Sequence, residues 1–167
     1  MKRTFILAVL FLLISCLLCG CLPNVMVVPD EASIGKSKTF EKDGITLMLT
    51  DRFEEQPSQR GFDAYYVADF CGVVVLKEEF TLEEGLSQKT LEEYINSVIK
   101  NNGHTNITPK TEDGLWFYET SSNGNYARSY SYKGADAFYI VQFICRLSDA
   151  NEFKDLFYLW ANSVTVE

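Results

Sequence analysis

The sequence predicts an α+β domain, with an antiparallel sheet of about seven strands and two amphipathic helices packed on it. Three observations support this fold class. Short segments alternate between apolar and polar residues, as strands with one buried face do. Short connections that contain glycine separate neighbouring segments, which favours antiparallel pairing. Two longer segments repeat apolar residues at helical spacing, and strands, helix, strands and helix follow one another along the chain.

Turn chemistry identifies the strands before the first helix. Asp43-Gly44 lies between two extended segments, and Asp-Gly accepts the positive φ that a tight hairpin requires. The run from Val73 to Leu76 is apolar without interruption, which predicts burial on both faces. The strands predicted in this part of the chain are 39–41, 45–50, 63–69 and 72–79.

The first helix is predicted by its apolar stripe and its ends. The stripe has offsets 0, 3, 4, 7 and 8 and consists of Leu91, Tyr94, Ile95, Val98 and Ile99. Thr90 and Glu93 have the spacing of a capping box, which contributes about 1 kcal/mol. Asn102-Gly103 is typical of a helix C-terminus.

A strand meander and a second helix complete the predicted domain. The strands are 115–120, 126–132 and 137–145, with a short last strand at 164–166 and an additional one at 104–108 that Pro109 stops. The second helix repeats the same apolar stripe with Phe153, Leu156, Phe157, Trp160 and Ala161. We expect Ser148 or Asp149 to cap this helix.

Residues 1–21, MKRTFILAVLFLLISCLLCGC, have the anatomy of a secretory signal peptide. Lys2 and Arg3 precede an apolar run that ends at a small residue and a cysteine. Leu18-Cys19-Gly20-Cys21 resembles the lipobox of bacterial lipoproteins. This resemblance implies that the Cys21 thiol receives a diacylglycerol and that the chain is cleaved before Cys21. Two acyl chains would then hold the protein at the outer face of a membrane.

Other interpretations of this segment remain open. Residues 13–16 also fit the lipobox, but cleavage before Cys16 would leave Leu17 and Leu18 exposed on the mature chain. An uncleaved run from residue 4 to residue 21 would be just long enough to span a bilayer. A signal cleaved without lipidation also fits. We predict a signal and lipobox over 1–21, a flexible tether over 22–38 and a globular domain over 39–167.

Composition and charge exclude several classes of protein. Apolar residues make up 47% of the chain and charged residues 23%, as in folded globular proteins. The formal net charge of −8 argues against binding to nucleic acid, which requires clustered lysine and arginine. An anionic lipid surface would repel such a domain. We therefore expect the lipid anchor, and not a basic patch, to hold it at the membrane.

Few residues suit metal binding or catalysis. His104 is the only histidine, and it lies just beyond a helix end, where we expect a solvent-exposed capping role. One histidine without cysteines at ligand spacing does not predict a metal site. The sequence contains no P-loop, Gly-x-Ser-x-Gly or Gly-x-Gly-x-x-Gly motif. We predict no catalytic residue, no metal and no cofactor.

Cys71 and Cys145 are the two cysteines of the predicted domain, and each lies at the end of a predicted strand. A disulfide between them is one interpretation, because an exported domain leaves the reducing cytosol. Two unpaired thiols that pack as small apolar side chains are the other. The sequence does not give the distance between the two residues, so it leaves both interpretations open.

An aromatic stripe is the candidate binding surface. Alternation places Tyr126, Arg128, Tyr130 and Tyr132 on one face of a predicted strand. Trp116 and Tyr118 share a face of the neighbouring predicted strand. If the helices cover the other face of the sheet, these six residues form an exposed platform for a glycan, a peptide or a partner protein. Core packing is the alternative, and burial of Tyr130 and Trp116 would exclude the platform.

The layout of residues 39–166 resembles the PsbP-like fold, named for an extrinsic subunit of photosystem II. The resemblance rests on the segment 40–47, FEKDGITL, the helix start 90–94, TLEEY, the meander, and the closing segment 157–164, FYLWANSV. The chain is also similar to small clostridial-type lipoproteins. Members of the PsbP-like fold are mostly accessory binding or assembly factors, so the resemblance implies such a role without fixing it.

These patterns predict a non-catalytic binding or accessory domain, displayed by its lipid anchor on the outer face of the cell membrane. Its predicted partner is an envelope protein or a wall component. One alternative is an enzyme of unfamiliar type, such as a hydrolase that uses carboxylates near the tyrosines. Another is a structural envelope protein without a small ligand. A concave pocket holding two carboxylates with shifted pKa values would favour the enzyme.

Overall fold

The computed structural model describes residues 34–57 and 61–167. The predicted signal, with Cys16 and Cys21, and most of the predicted tether lie outside the described residues. The strands are β1 (Ser37–Lys42), β2 (Ile45–Thr50), β3 (Glu54–Glu55), β4 (Ala64–Val67), β5 (Cys71–Glu79), β6 (Lys110–Glu112), β7 (Leu115–Ser122), β8 (Asn125–Lys133), β9 (Ala137–Arg146) and β10 (Thr165–Val166). The helices are α1 (Leu91–Asn101) and α2 (Ala150–Asn162). Within these ranges, no helix has the length and apolar character needed to cross a membrane.

A seven-stranded antiparallel sheet, in the order β3-β4-β5-β9-β8-β7-β6, forms the centre of the domain. The predicted fold class, α+β with a sheet of this size and two helices, is confirmed. The membership of the sheet differs, because β1, β2 and β10 form a separate three-stranded sheet. Alternation identifies a strand but not its pairing partner. Ser37 and Lys38, predicted as the end of the tether, belong to β1.

The short strands also differ from the prediction. The strand predicted at 104–108 is wrong, because this segment is irregular and the strand begins after Pro109, at Lys110. The turn Asp113-Gly114 requires a partner strand immediately before it, and β6 supplies that strand. The two-residue strand β3 was not predicted from the sequence. It consists of two exposed glutamates at the sheet edge, where charge discourages pairing with another chain.

Three hairpins have two-residue turns in which both turn residues have positive φ. The angles are 51° and 83° at Asp43-Gly44, 47° and 84° at Asp113-Gly114, and 50° and 78° at Asn123-Gly124. This is the type I′ turn, whose twist matches that of the flanking strands. The turns also set the register, because the residues that flank each turn pair directly with one another.

Each face of the large sheet is covered by one helix. We call the two faces the α2 face and the α1 face. On the α2 face, Phe143 of β9 packs in one core with Leu47 of β2 and Phe157 of α2. On the α1 face, Ile95 packs with Tyr118 of β7, and the Tyr94 ring stacks on Phe138 with centroids 4.0 Å apart. Both faces of the sheet are therefore covered.

The two helices begin differently. The capping box of α1 is confirmed: Thr90 Oγ1 accepts from the Glu93 N–H at 3.2 Å, and the Glu93 carboxylate accepts from the Thr90 N–H at 2.8 Å. Asp149 occupies the N-cap position of α2, one of the two positions predicted, but it makes no side-chain capping bond. A short 3₁₀ turn precedes this helix, and Asp149 already has helical angles, so its carboxylate makes no capping bond. It accepts instead from the Ser148 hydroxyl.

Candidate functional site

The six residues of the predicted aromatic platform lie on opposite faces of the sheet. Trp116 pairs with Ser131, and Tyr118 pairs with Ser129, whereas Tyr130 pairs with Phe117. Directly paired residues in antiparallel strands have their side chains on the same face. Trp116 and Tyr118 therefore lie on the α1 face. The remaining predicted residues lie on the α2 face, and they are Tyr126, Arg128, Tyr130 and Tyr132.

The expectation of an exposed platform is wrong. Tyr118 and Tyr130 have no solvent exposure, Arg128 retains 6%, and Trp116 is half-buried against α1. Alternation shows which residues share a face but not whether a helix covers that face. Here one helix packs on each face, so both sets contribute to the core. Tyr132, for example, donates its hydroxyl hydrogen to the Ala161 carbonyl of α2 at 2.8 Å.

Arg128 lies at the centre of a charged cluster between β6, β7, β8 and α2. Its guanidinium carbon is 3.8 Å from the centroid of the Phe117 ring and 5.2 Å from that of Tyr130. One terminal nitrogen donates to Glu112 Oε2 at 2.6 Å, and the other donates to the Lys154 carbonyl at 3.3 Å. Stacking and pairing together compensate for burial of the charge.

A second ion pair adjoins this cluster on the same face. Glu119 lies directly opposite Arg128 in the register and accepts hydrogen bonds from the Tyr126 hydroxyl and the Lys110 ammonium. Burial acts to raise the pKa of Glu119. The hydrogen bonds from Lys110 and Tyr126 act to lower it and together outweigh burial, so the pKa lies below its ordinary value. Burial and the adjacent Glu119 carboxylate raise the pKa of Tyr126. We call Lys110, Glu112, Glu119, Tyr126 and Arg128 the Arg128 network.

The Arg128 network connects the core with solvent. The Arg128 side chain is 7% exposed, whereas the side chains of Glu112 and Lys110 are 47% and 59% exposed. Two buried polar atoms lie at its inner end without a hydrogen-bond partner among the described residues: Arg128 Nε and the Tyr130 hydroxyl. Unsatisfied buried groups typically cost about 1–3 kcal/mol each, so they are uncommon outside sites of function or bound water.

The α1 face carries a neutral polar cluster. Ser129 and Gln142 are buried, and Gln142 Nε2 donates to Ser129 Oγ at 2.8 Å. The Tyr118 ring lies next to this pair, and its centroid is 6.3 Å from that of His104. His104 was expected to be a solvent-exposed cap, but it is half-buried, because residues after α1 fold back over the sheet. Burial lowers the pKa of His104 and raises that of Tyr118 to about 12.

Cys71 and Cys145 are buried and lie directly opposite each other in β5 and β9. Their thiols are not bonded to each other in the structure. Burial raises the pKa of Cys71 well above its ordinary range and that of Cys145 to about 12. Thiolates are the reactive form of cysteine, so neither side chain is activated as a nucleophile.

Sequence reasoning missed the acidic partners of Arg128. The signal for Glu119 was present, since a two-residue turn at Asn123-Gly124 sets the register that places Glu119 opposite Arg128. Glu112 could not be found in this way, because it reaches Arg128 across β7. Among the described residues, no group of three or more potential ligands could hold a metal ion.

Comparison with known proteins identifies the fold. No protein-family model matches the sequence, and no curated protein matches it. The solution structure of cyanobacterial PsbP (CyanoP) from Synechocystis sp. PCC 6803 is similar, with 13% identity and a TM-score of 0.54. The match covers 89% of this chain and 99% of CyanoP. A crystal structure from Bacteroides thetaiotaomicron has 6% identity and a TM-score of 0.52, over 80% of this chain and 49% of the other.

A third similar structure is LpqN, which is involved in cell envelope biogenesis of Mycobacterium tuberculosis. It has 13% identity and a TM-score of 0.44, over 78% of this chain and 90% of LpqN. At such low identity, structural similarity establishes architecture and not activity. The combination of the antiparallel sheet, its two covering helices and the similarity to CyanoP shows that this chain has a PsbP-like α+β fold.

Proposed function

We propose that this protein is an extracytoplasmic accessory domain that is lipid-anchored through Cys21 and acts by binding an envelope protein. The observation that carries the binding role is the Arg128 network, whose exposed Lys110 and Glu112 side chains are held in place at the surface by partners that are more deeply buried. The anchor rests on the lipobox. The two parts of the proposal are independent and have separate tests.

The anchor explains how so acidic a chain could stay at a membrane. The formal net charge is −8, and an anionic leaflet repels a domain of that charge. Each buried methylene of an acyl chain contributes about 0.8 kcal/mol, and two chains together give stable attachment. The lipobox at 18–21 lies a short distance before β1, which begins at Ser37. A domain attached there would remain close to the membrane surface.

The Arg128 network is suited to protein recognition because its side chains are already ordered. Glu112 and Lys110 are half-exposed, yet each is held by an ion pair to a residue of β7 or β8. Ordering a long side chain on binding costs about 0.5–1.5 kcal/mol, so prior ordering favours association. Tyr158 of α2 extends the same surface and donates to Asp113. Tyrosine is enriched among the residues that contribute most to protein interfaces.

The pKa shifts of the buried thiols and of two tyrosine hydroxyls argue against nucleophilic catalysis by these four groups. Burial raises the pKa of the Cys71 and Cys145 thiols and of the Tyr118 and Tyr126 hydroxyls. All four groups are therefore neutral and weakly nucleophilic at neutral pH. Nucleophilic catalysis by one of these groups would require the opposite, a pKa moved toward the working pH.

The anchor is tested by labelling cells with radioactive palmitate. The wild type and the matched variants Cys16→Ala and Cys19→Ala should incorporate label and remain with the membrane fraction. Cys21→Ala should incorporate none, because only its thiol is the proposed acceptor. Undiminished labelling of Cys21→Ala, or loss of label in Cys16→Ala instead, would overturn the assignment.

The binding surface is tested by site-specific photocrosslinking in intact cells. A photoreactive amino acid replaces Lys110, which belongs to the network, or Glu84, an exposed residue in the segment before α1. The Lys110 position should give one discrete crosslinked envelope protein that the Glu84 position does not give. The same product from both positions would mean that the surface has no specificity, and the proposed site would then be wrong.

A further inference from the structure

The two buried cysteines of the domain face each other on β5 and β9, which are adjacent inner strands of the large sheet. Cys71 begins β5, Cys145 lies near the end of β9, and the two are direct partners in the register. They retain 5% and 3% of their solvent exposure. Their side chains lie on the α2 face, in the same core as Phe143. The distance between their backbones therefore decides whether they can bond.

The hydrogen-bonding pattern around Cys71 gives that distance. The Cys71 carbonyl accepts from the Ala68 N–H at 2.9 Å, so its backbone groups point toward β4 and away from β9. Four residues further along β5, the Val75 carbonyl accepts from the Asp63 N–H, so it also points away from β9. Since hydrogen-bonding direction alternates along a strand, Cys71 and Cys145 form a non-hydrogen-bonded pair.

The hairpin on the other side of β9 leads to the same result. In the β7–β8 hairpin, Ser122 and Asn125 flank the two-residue turn and exchange hydrogen bonds, so Asn125 points toward β7. The next residue, Tyr126, then points toward its partner Cys145 in β9. Cys145 therefore directs its backbone groups to β8 and not to β5. The strands on either side, β4 beside β5 and β8 beside β9, thus both indicate that Cys71 and Cys145 form a non-hydrogen-bonded pair.

A non-hydrogen-bonded antiparallel pair has Cα atoms about 4.5 Å apart, which lies within the disulfide range of about 4.4–6.8 Å. We propose that Cys71 and Cys145 form an intramolecular disulfide when the chain folds in the presence of a disulfide oxidant. The bond would join β5 to β9, the pairing at which the N-terminal strands of the sheet meet the C-terminal meander.

The reaction is two successive thiol–disulfide exchanges. The thiolate of one cysteine attacks the oxidant's disulfide, forms a mixed disulfide and releases one thiolate of the oxidant. The thiolate of the second cysteine then attacks the first cysteine's sulfur and releases the other oxidant thiolate. The protein loses two electrons and two protons. The oxidant gains them and becomes two thiols.

Burial sets the time at which this exchange occurs. In the folded domain, α2 and the small sheet cover both thiols, and burial raises the pKa of each. An oxidant has little access to them and finds few thiolates. The bond therefore forms while β5 and β9 are still accessible, during folding. Its formation in the cell rests on export, which is part of the proposed function, but the capacity to form it does not.

The test uses the full-length protein purified in detergent. The chain is reduced and unfolded in guanidinium chloride, then diluted into a mixture of reduced and oxidised glutathione. Acid stops the exchange, and the free thiols are then alkylated. The protein is digested and the peptides are analysed by mass spectrometry. We expect a linked peptide pair containing Cys71 and Cys145. Alkylation of both cysteines after refolding would overturn the proposal.

Two controls separate its parts. Cys71→Ser and Cys145→Ser should each abolish the linked pair and leave the remaining cysteine alkylated or joined to glutathione. Reduced protein that is never unfolded should stay reduced in the same mixture, and rapid oxidation there would overturn the timing. If the refolded protein forms the bond but protein taken directly from cells is reduced, the proposed export is contradicted. The proposed capacity to form the disulfide is then retained.

Discussion

At the scale of single residues, Arg128 shows how the core accommodates a charge. Its guanidinium lies over the rings of Phe117 and Tyr130 and pairs with Glu112, whose side chain is 47% exposed. Solvent weakens the electrostatic part of such a pair, so burial of the side chain against the rings contributes a large share of the stability. The unpartnered Arg128 Nε and Tyr130 hydroxyl offset part of this gain.

We expect Arg128→Ala to lower the free energy of unfolding by about 2–4 kcal/mol, because it removes the stacking and leaves a cavity beneath α2. Arg128→Lys should recover only part of the loss, since an ammonium cannot stack or donate as a planar fork. Denaturation in urea measures both effects. Arg52→Ala is the matched control at an exposed position and should change stability by less than about 0.5 kcal/mol. Equal effects at the two positions would contradict this account.

At the scale of the elements, local sequence determines how strands and helices begin and end. The three type I′ turns each have Asp-Gly or Asn-Gly at the two central positions, where φ is positive. These residue types tolerate that conformation better than others. The beginnings of the helices differ in the same local way. Thr90 caps α1 through two hydrogen bonds, whereas Asp149 precedes α2 with helical angles and no capping bond.

The two helix starts therefore predict unequal effects of alanine. Thr90→Ala should lower the free energy of unfolding by about 1 kcal/mol, because an N–H of the first turn loses its acceptor. Asp149→Ala should cost less, since it removes only a favourable interaction with the helix dipole and an exposed hydrogen bond from the Ser148 hydroxyl. Chemical denaturation of both variants gives the comparison. A larger loss for Asp149→Ala would mean that this carboxylate caps the helix in solution after all.

At the scale of the whole molecule, buried tyrosines of the sheet pack in the cores beneath the two helices. Tyr118 lies under α1, while Tyr126 and Tyr130 lie under α2, and each is almost fully buried. Burial raises the pKa of all three above the ordinary value of 10.0. These buried hydroxyls lie on both faces of the sheet. Their ionisation is therefore linked to unfolding of the entire domain.

This linkage predicts loss of stability in alkali. The folded pKa lies above the unfolded one, so the contribution to stability is complete below pH 10 and is lost as pH rises through the folded pKa, which is about 12 for Tyr118. Tyrosinate absorbance and circular dichroism are followed in one titration. The buried tyrosines should ionise only as the dichroism collapses. Ionisation near pH 10 with unchanged dichroism would show that these hydroxyls are accessible to water.

The sequence alone was sufficient for the features that depend on near neighbours. The stripe of α1, its capping box and the Asp-Gly and Asn-Gly hairpins involve residues within a few positions of one another, so their chemistry is visible in the chain. The fold class followed from the order of these elements. In the same way, the register of the β7–β8 hairpin, and with it Glu119 opposite Arg128, is implied by a two-residue turn.

Only the tertiary structure decided what covers each face. The pattern at Tyr126, Arg128 and Tyr130 is the same whether a helix or solvent lies above it, because alternation reports a shared side and not its neighbour. The separation of β1 and β2 into a second sheet, the Glu112–Arg128 pair and the opposition of Cys71 to Cys145 all join residues distant in sequence. Such contacts depend on the packing of the whole chain, and no local pattern specifies them.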